Sequence, residues 1–262
     1  MFLPKLKIGT SGWVYGHWEG VFYPRKLKSQ DKLKYFSQYF NTTEINYSFY
    51  HLPRPITFQN WYKNTPKDFI FAVKVSRFIT HIKRLRGAKQ DWAIFLKNAL
   101  NLKDKLGPFL FQLPPSFKAN KETIKRLEKF FQSLHKSSIK NYFSLKRSKF
   151  AFEFRDDSWC NNKIYNLLKK YKIAWVIADS PNFPKREEIT TNFIYLRMHG
   201  SQKLFSSKYT KSELENLAQK IKDWQRRKID VYVYFNNDAQ GFALQNAREL
   251  IKFVKKSRKT IF

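Results

Sequence analysis

The feature that most constrains this chain is an alternation of short apolar runs with segments of helical period. Eight runs of strand character occur: Leu6–Thr10, Thr43–Asn46, Phe69–Val75, Phe109–Leu113, Phe150–Arg155, Ile173–Ala178, Phe193–Met198 and Val231–Phe235. Between them, apolar residues recur at helical spacing over Asp31–Phe40, Ile56–Lys63, Asp91–Leu102, Lys121–Leu134, Lys163–Lys170, Lys211–Arg227 and Ala243–Val254. A short helical candidate, Pro184–Glu188, fills the sixth crossover. Strands separated by helices pair in parallel and are covered by those helices. Eight such units in 262 residues predict one closed (β/α)8 TIM-like barrel over 1–254, with a basic tail over 255–262. The rival, an open doubly wound sheet, needs a Gly-x-Gly-x-x-Gly turn after the first strand, and Gly9-Thr10-Ser11-Gly12 does not supply it.

Charge bears on partners. Lys and Arg number 51 against 20 acidic residues, for a net charge of +31. Such a chain attracts polyanions at low salt, and a lysine-filled solvated surface gives the same excess without specific binding. The loop Lys83, Arg84, Arg86 is the best local candidate for nucleic-acid contact. Cys160 is the only cysteine, so internal disulfides and cysteine-built metal sites are excluded. The start of the chain lacks a basic segment followed by an apolar run, and no stretch approaches a spanning length. The expectation is a soluble, cytoplasmic protein without a membrane partner. Oligomeric state is left open.

In a barrel of this kind the strand ends and the loops after them form the site. Period-two alternation puts Glu44 with Asn46, Glu153 with Arg155, and Arg197 with His199 on shared faces. Lys74 ends strand three, Gln112 strand four, Asp179 follows strand six, and Asn236 follows strand eight. Glu153 between Phe152 and Phe154, and Arg197 between Leu196 and Met198, are charges set in apolar runs, where a partner must compensate them. The expectation is that Glu153, Arg155, Arg197 and Glu44 meet at the mouth, either as a structural plug or as a pocket. Catalytic candidates are Glu153, His199, Glu44 and Asp179. Candidates for holding a substrate or anion are Arg155, Arg197, Lys74, Gln112, Asn46, Asn236 and His81, with Trp13, Tyr50 and Trp159 as stacking rings. Glu44, Glu153, Asp179 and His199 have metal-ligand chemistry but no spacing that demands a metal, so neither metal nor other cofactor is expected.

These residues also carry a resemblance. Ile8-Gly9-Thr10-Ser11-Gly12-Trp13 with Phe22-Tyr23-Pro24, Glu44-Ile45-Asn46 with Ser48-Phe49-Tyr50, and Phe71-Ala72-Val73-Lys74 with Ile79-Thr80-His81 come first. Phe111-Gln112-Leu113-Pro114-Pro115, Glu153-Phe154-Arg155 with Ser158-Trp159, Tyr195-Leu196-Arg197-Met198-His199-Gly200 and Tyr234-Phe235-Asn236-Asn237-Asp238 follow in order. Together they resemble the domain-of-unknown-function 72 family, the YecE-like proteins. The resemblance implies a TIM-like barrel and no assigned reaction.

Three functions remain in play at this level. The first is a hydrolase-like enzyme acting on a small phosphorylated or nucleotide-like compound, with the cations on the anion and Glu153 and His199 as acid–base groups. The second is a nucleic-acid-binding protein, and the third a glycoside hydrolase using Glu44 and Glu153.

Overall fold

The computed structural model describes residues 4–135 and 148–256. Eight strands close into a barrel in chain order: β1 Leu6–Ser11, β2 Thr42–Ile45, β3 Ile70–Lys74, β4 Leu106–Gln112, β5 Phe150–Glu153, β6 Ala174–Asp179, β7 Phe193–Met198 and β8 Asp230–Phe235. Every neighbouring pair is parallel, and β1 pairs with β8 from Leu6↔Val231 to Thr10↔Phe235, so no edge is left open. The helices are α1 Lys32–Phe36, α2 Tyr47–Tyr50, α3 Pro55–Lys63, α4 Lys89–Ala99, α5 Lys121–His135, α6 Asn162–Lys170, α7 Lys211–Arg226 and α8 Phe242–Lys256.

Alternation along the strands divides the apolar residues into two cores. Ala72, Leu110, Ala151, Ala174, Val176, Phe193, Tyr195, Tyr232 and Tyr234 fill the barrel interior. Their neighbours Phe71, Val73, Phe109, Phe111, Phe152, Ile177, Leu196 and Val233 face outward, with Trp92, Leu127, Ile164, Ile221 and Leu250 from the helices. Small residues on strands three, five and six face large ones on seven and eight, which sets the interior volume. Gly9 is required on β1: a Cβ there would lie 2.1 Å from the Thr42 carbonyl oxygen.

Three expectations need correction. The helix after β1 spans only Lys32–Phe36, because Ser37 donates its hydroxyl to the Lys34 carbonyl and the chain turns before Phe40. Pro184–Glu188 is not helical. Trp175 donates its indole N–H to the Arg186 carbonyl, and Thr190 ties Ile173 and Trp175 together, so side chains occupy groups a helix would need. Lys255 and Lys256 close α8 rather than begin a tail, and 257–262 lie outside the described residues. Among the described residues no helix is long and apolar enough to cross a membrane.

Candidate functional site

At the C-terminal end of the barrel the interior changes from apolar to charged. Glu44, Glu153 and Arg197 project inward from β2, β5 and β7 and are completely or almost completely buried. Arg197 donates from Nε and Nη2 to both oxygens of Glu44, at 3.0 and 2.8 Å, and from Nη1 to Glu153 Oε2 at 2.7 Å. Glu44 also accepts from Ser11 Oγ at 2.9 Å and Tyr195 Oη at 2.7 Å. Glu153 Oε1 accepts from Arg155 Nε at 2.8 Å. Two carboxylates and two guanidiniums thus form a hydrogen-bonded layer across the barrel, the compensation that charges in apolar runs require.

The electrostatics follow from that layer. Burial opposes ionisation of Glu44, but the charge and hydrogen bonds of Arg197 outweigh it and hold the carboxyl below its usual range. The same contest at Glu153, with Arg197 and Arg155 acting together, holds it well below. Burial likewise opposes the charge on Arg197, and the two carboxylates raise its pKa in spite of that. All three groups are fixed charges at neutral pH.

Above this layer lie groups with unused capacity. Lys74, at the end of β3, is 9% exposed, and among the described residues no acceptor bonds its ammonium. Its Nζ sits 4.1 Å from the centre of the Phe49 ring, while Ser48 Oγ fixes the strand end by donating to the Lys74 carbonyl. Burial and the neighbouring Arg197 lower the Lys74 pKa to about 7, against the pull of Glu44 and Glu153. Arg155, with a side chain 14% exposed, uses only Nε toward protein; its guanidinium lies over Phe183 at 4.1 Å. Asn46 Oδ1 is buried without a hydrogen-bond partner.

Two histidines flank these groups. His81 pairs through Nδ1 with Thr80 Oγ1 and through Nε2 with the Gln112 amide, and packs edge-on to Phe49. Burial, with Lys74 and Arg155 nearby, lowers its pKa to about 4. His199 is buried; the Asn236 amide lies 3.1 Å from its Nδ1, which places the ring proton on Nε2. Nε2 is 3.5 Å from Glu153 Oε1, an electrostatic contact short of a full hydrogen bond, and burial lowers the His199 pKa.

The structure therefore brings together Glu44, Asn46, Lys74, His81, Gln112, Glu153, Arg155, Arg197, His199 and Asn236. It separates four others. Asp179 points outward from β6 to Tyr209 Oη at 3.0 Å and Lys185 Nζ at 2.5 Å, beneath α7. No metal set can therefore combine it with Glu44, Glu153 and His199. Trp13 packs edge-on against Trp61 and Phe71 in the helix layer. Trp159 is fully buried against Phe117 and Phe154, with its N–H on the Phe117 carbonyl. Tyr50 is 64% exposed at the rim, edge-on to Phe49.

Sequence reasoning missed Ser11 and Phe183 as site residues; Tyr195, on the inward face two before Arg197, and Phe49, beside Lys74, join the site as well. Phe183 lies in an irregular crossover with no period to follow. A second cluster lies at the rim: Asp238 Oδ2 accepts from Trp18 Nε1 and pairs with His17 Nε2, each at 2.9 Å. Burial pushes the Asp238 carboxyl up to about 6, against His17 and Trp18.

The family model described as protein of unknown function DUF72 matches residues 7–261. The UPF0759 protein YunF of Bacillus subtilis is 26% identical over 278 residues, covering 94% of each chain. The UPF0759 protein YecE of Escherichia coli is 32% identical over 110 residues, 42% of this chain and 38% of that protein. The crystal structure of a DUF72 family protein from Thermotoga maritima superposes with a TM-score of 0.82 at 31% identity, over 96% of this chain and 99% of the other.

Proposed function

This chain belongs to the DUF72 family, and we propose that its barrel mouth binds the anionic group of a small phosphorylated or nucleotide-like compound for hydrolase-like chemistry. The observation that carries this reading is the unused donor capacity of Lys74 and Arg155 above the closed Glu44–Arg197–Glu153 layer. A structural plug would occupy every donor with protein acceptors; here, among the described residues, the Lys74 ammonium and two guanidinium amino groups are left for an oxyanion. Phe49 and Phe183 flank them and lower the local polarity.

The proton chemistry belongs to neutral groups. Glu44 and Glu153 are held ionised, so they orient and stabilise charge rather than donate protons. Lys74 is the base, since its lowered pKa leaves neutral nitrogen available near pH 7, while His81 and His199 stay neutral with their accepting nitrogens taken by the Gln112 and Asn236 amides. A glycoside hydrolase fits less well, because it requires one carboxyl to be protonated while its partner is ionised. Nucleic-acid contact at the β3 loop also fits less well: Lys83 is paired with Asp91 at 2.5 Å, Arg86 with Glu122 at 3.1 Å, and Arg84 with Ser116 at 3.2 Å.

The test is ligand-induced stabilisation with glycerol 3-phosphate, ribose 5-phosphate and adenosine monophosphate on wild type, Arg155→Ala and Lys74→Met. At least one compound should raise the wild-type Tm and have little effect on both variants. Equal shifts in all three proteins, or none in the wild type, overturn the reading.

A further inference from the structure

Lys74 is an unusual residue to use as a point charge. Point-charge lysines extend into solvent or pair with a carboxylate, whereas the side chain of this one is largely buried beside the Phe49 ring, and among the described residues its ammonium has no hydrogen-bond acceptor. The charged groups facing it are Glu44 from β2, Glu153 and Arg155 from and just after β5, and Arg197 from β7, with His81 on its own loop. The two guanidiniums are already cations and disfavour a third, and burial of the side chain beside the Phe49 ring adds a desolvation cost to the charged form. These are the conditions under which a lysine amine is kept neutral and nucleophilic. Arg155 keeps its amino groups free for an anion, and Lys74 stands beside it, where an anion held by the guanidinium brings the rest of the molecule within reach of the amine.

Resting on the anion-binding reading above, we propose that Lys74 is a covalent nucleophile that forms an imine with a phosphorylated aldehyde or ketone held by Arg155. The amine lone pair bonds to the carbonyl carbon. The two amine hydrogens leave with the carbonyl oxygen as one molecule of water, and the imine nitrogen takes a proton from solvent. The resulting iminium charge faces Glu44 and Glu153, which Arg197 holds ionised in advance against the effect of burial. The neutral amine required for the first step is supplied by the pKa of about 7. His81, neutral and tied to Thr80 and Gln112, adds no further cation beside the amine, and the protons of the carbinolamine step exchange with water.

The probe is glyceraldehyde 3-phosphate with cyanoborohydride, which delivers hydride to an imine carbon and fixes it as a secondary amine. Intact mass and peptide mapping read the adduct on the full-length protein. At about pH 7.5, Lys74 should label roughly tenfold or more faster than the average surface lysine, because an ordinary lysine is almost entirely protonated there. Labelling of that peptide should vanish in Lys74→Arg and Lys74→Met, slow in Arg155→Ala, and be competed by glycerol 3-phosphate. Circular dichroism of the variants checks that each is folded. If glycerol 3-phosphate stabilises the wild type but Lys74 labels no faster than surface lysines, the imine is overturned and the anion site stands. If neither binding nor selective labelling occurs, both readings fall.

Discussion

Arg197 and Glu44 are 153 positions apart in sequence and share two hydrogen bonds, Nε to Oε2 at 3.0 Å and Nη2 to Oε1 at 2.8 Å. That fork, with the third bond from Nη1 to Glu153, ties β2 to β5 through β7 across the barrel interior. Lysine has the charge but not the planar fork, so it cannot reproduce the paired bonds to Glu44. Arg197→Met, which leaves both buried carboxylates without their guanidinium, should therefore lower unfolding free energy by about 3–5 kcal/mol, the range for removing one partner of a buried ion pair. Urea denaturation measures it; a change below about 1 kcal/mol contradicts the account of this layer.

Tyr195 hydroxyl donates to Glu44 Oε2 at 2.7 Å from below the charged layer. Tyr195→Phe removes a hydrogen bond to a charged group and leaves the ring packing against Tyr234 intact. Stability should drop by about 1.5–3 kcal/mol. Anion binding at the mouth should be unchanged, since the hydroxyl lies on the far side of the carboxylate.

Lys74 sets a pH dependence with a definite sign. Its pKa is about 7 in the folded protein and 10.5 in the unfolded chain, so between these values the unfolded state binds more protons. Stability therefore rises as pH increases from about 7 toward 10.5, and the full burden of the buried amine is felt below about 7. Lys74→Met removes this burden. The variant should be more stable than wild type at low pH, by a margin that narrows steadily as pH rises through that window. Parallel denaturation curves, with a margin independent of pH, would show that Lys74 is not desolvated.

Asp179 joins the β6 end to Tyr209 and Lys185 under α7 rather than to the mouth. Asp179→Asn should cost about 0.5–1.5 kcal/mol, the usual range for one hydrogen bond. The thermal shift produced by phosphorylated compounds should be unaffected. A loss of ligand response without loss of stability would move Asp179 back into the site.

Much of this architecture can be read in local sequence because its determinants are local. Eight apolar runs at regular spacing specify strands, helical periodicity between them specifies the cover, and count plus parallel pairing specifies closure. Period-two alternation also identifies which residues face inward, so Glu44, Lys74, Gln112, Glu153 and Arg197 could be assigned to one end of the interior from their positions alone. Alternation fails where the strand stops. Trp13 and Trp159 follow strand ends and were expected at the mouth, but each lies in the helix layer; their direction depends on the loop path and on Trp61, Phe71, Phe117 and Phe154. Asp179 was placed by proximity to a strand end, yet its odd parity on β6 turns it outward to Tyr209. Phe49 and Phe183 had no pattern to mark them, because a four-residue helix and an irregular crossover bring them over Lys74 and Arg155. Sequence thus determined which charges would enter the barrel. Tertiary structure alone decided their partners, because pairing and desolvation are set by distances between strands far apart in the chain: Arg197 is consumed by two carboxylates, whereas Lys74 faces the same two without a hydrogen bond to either.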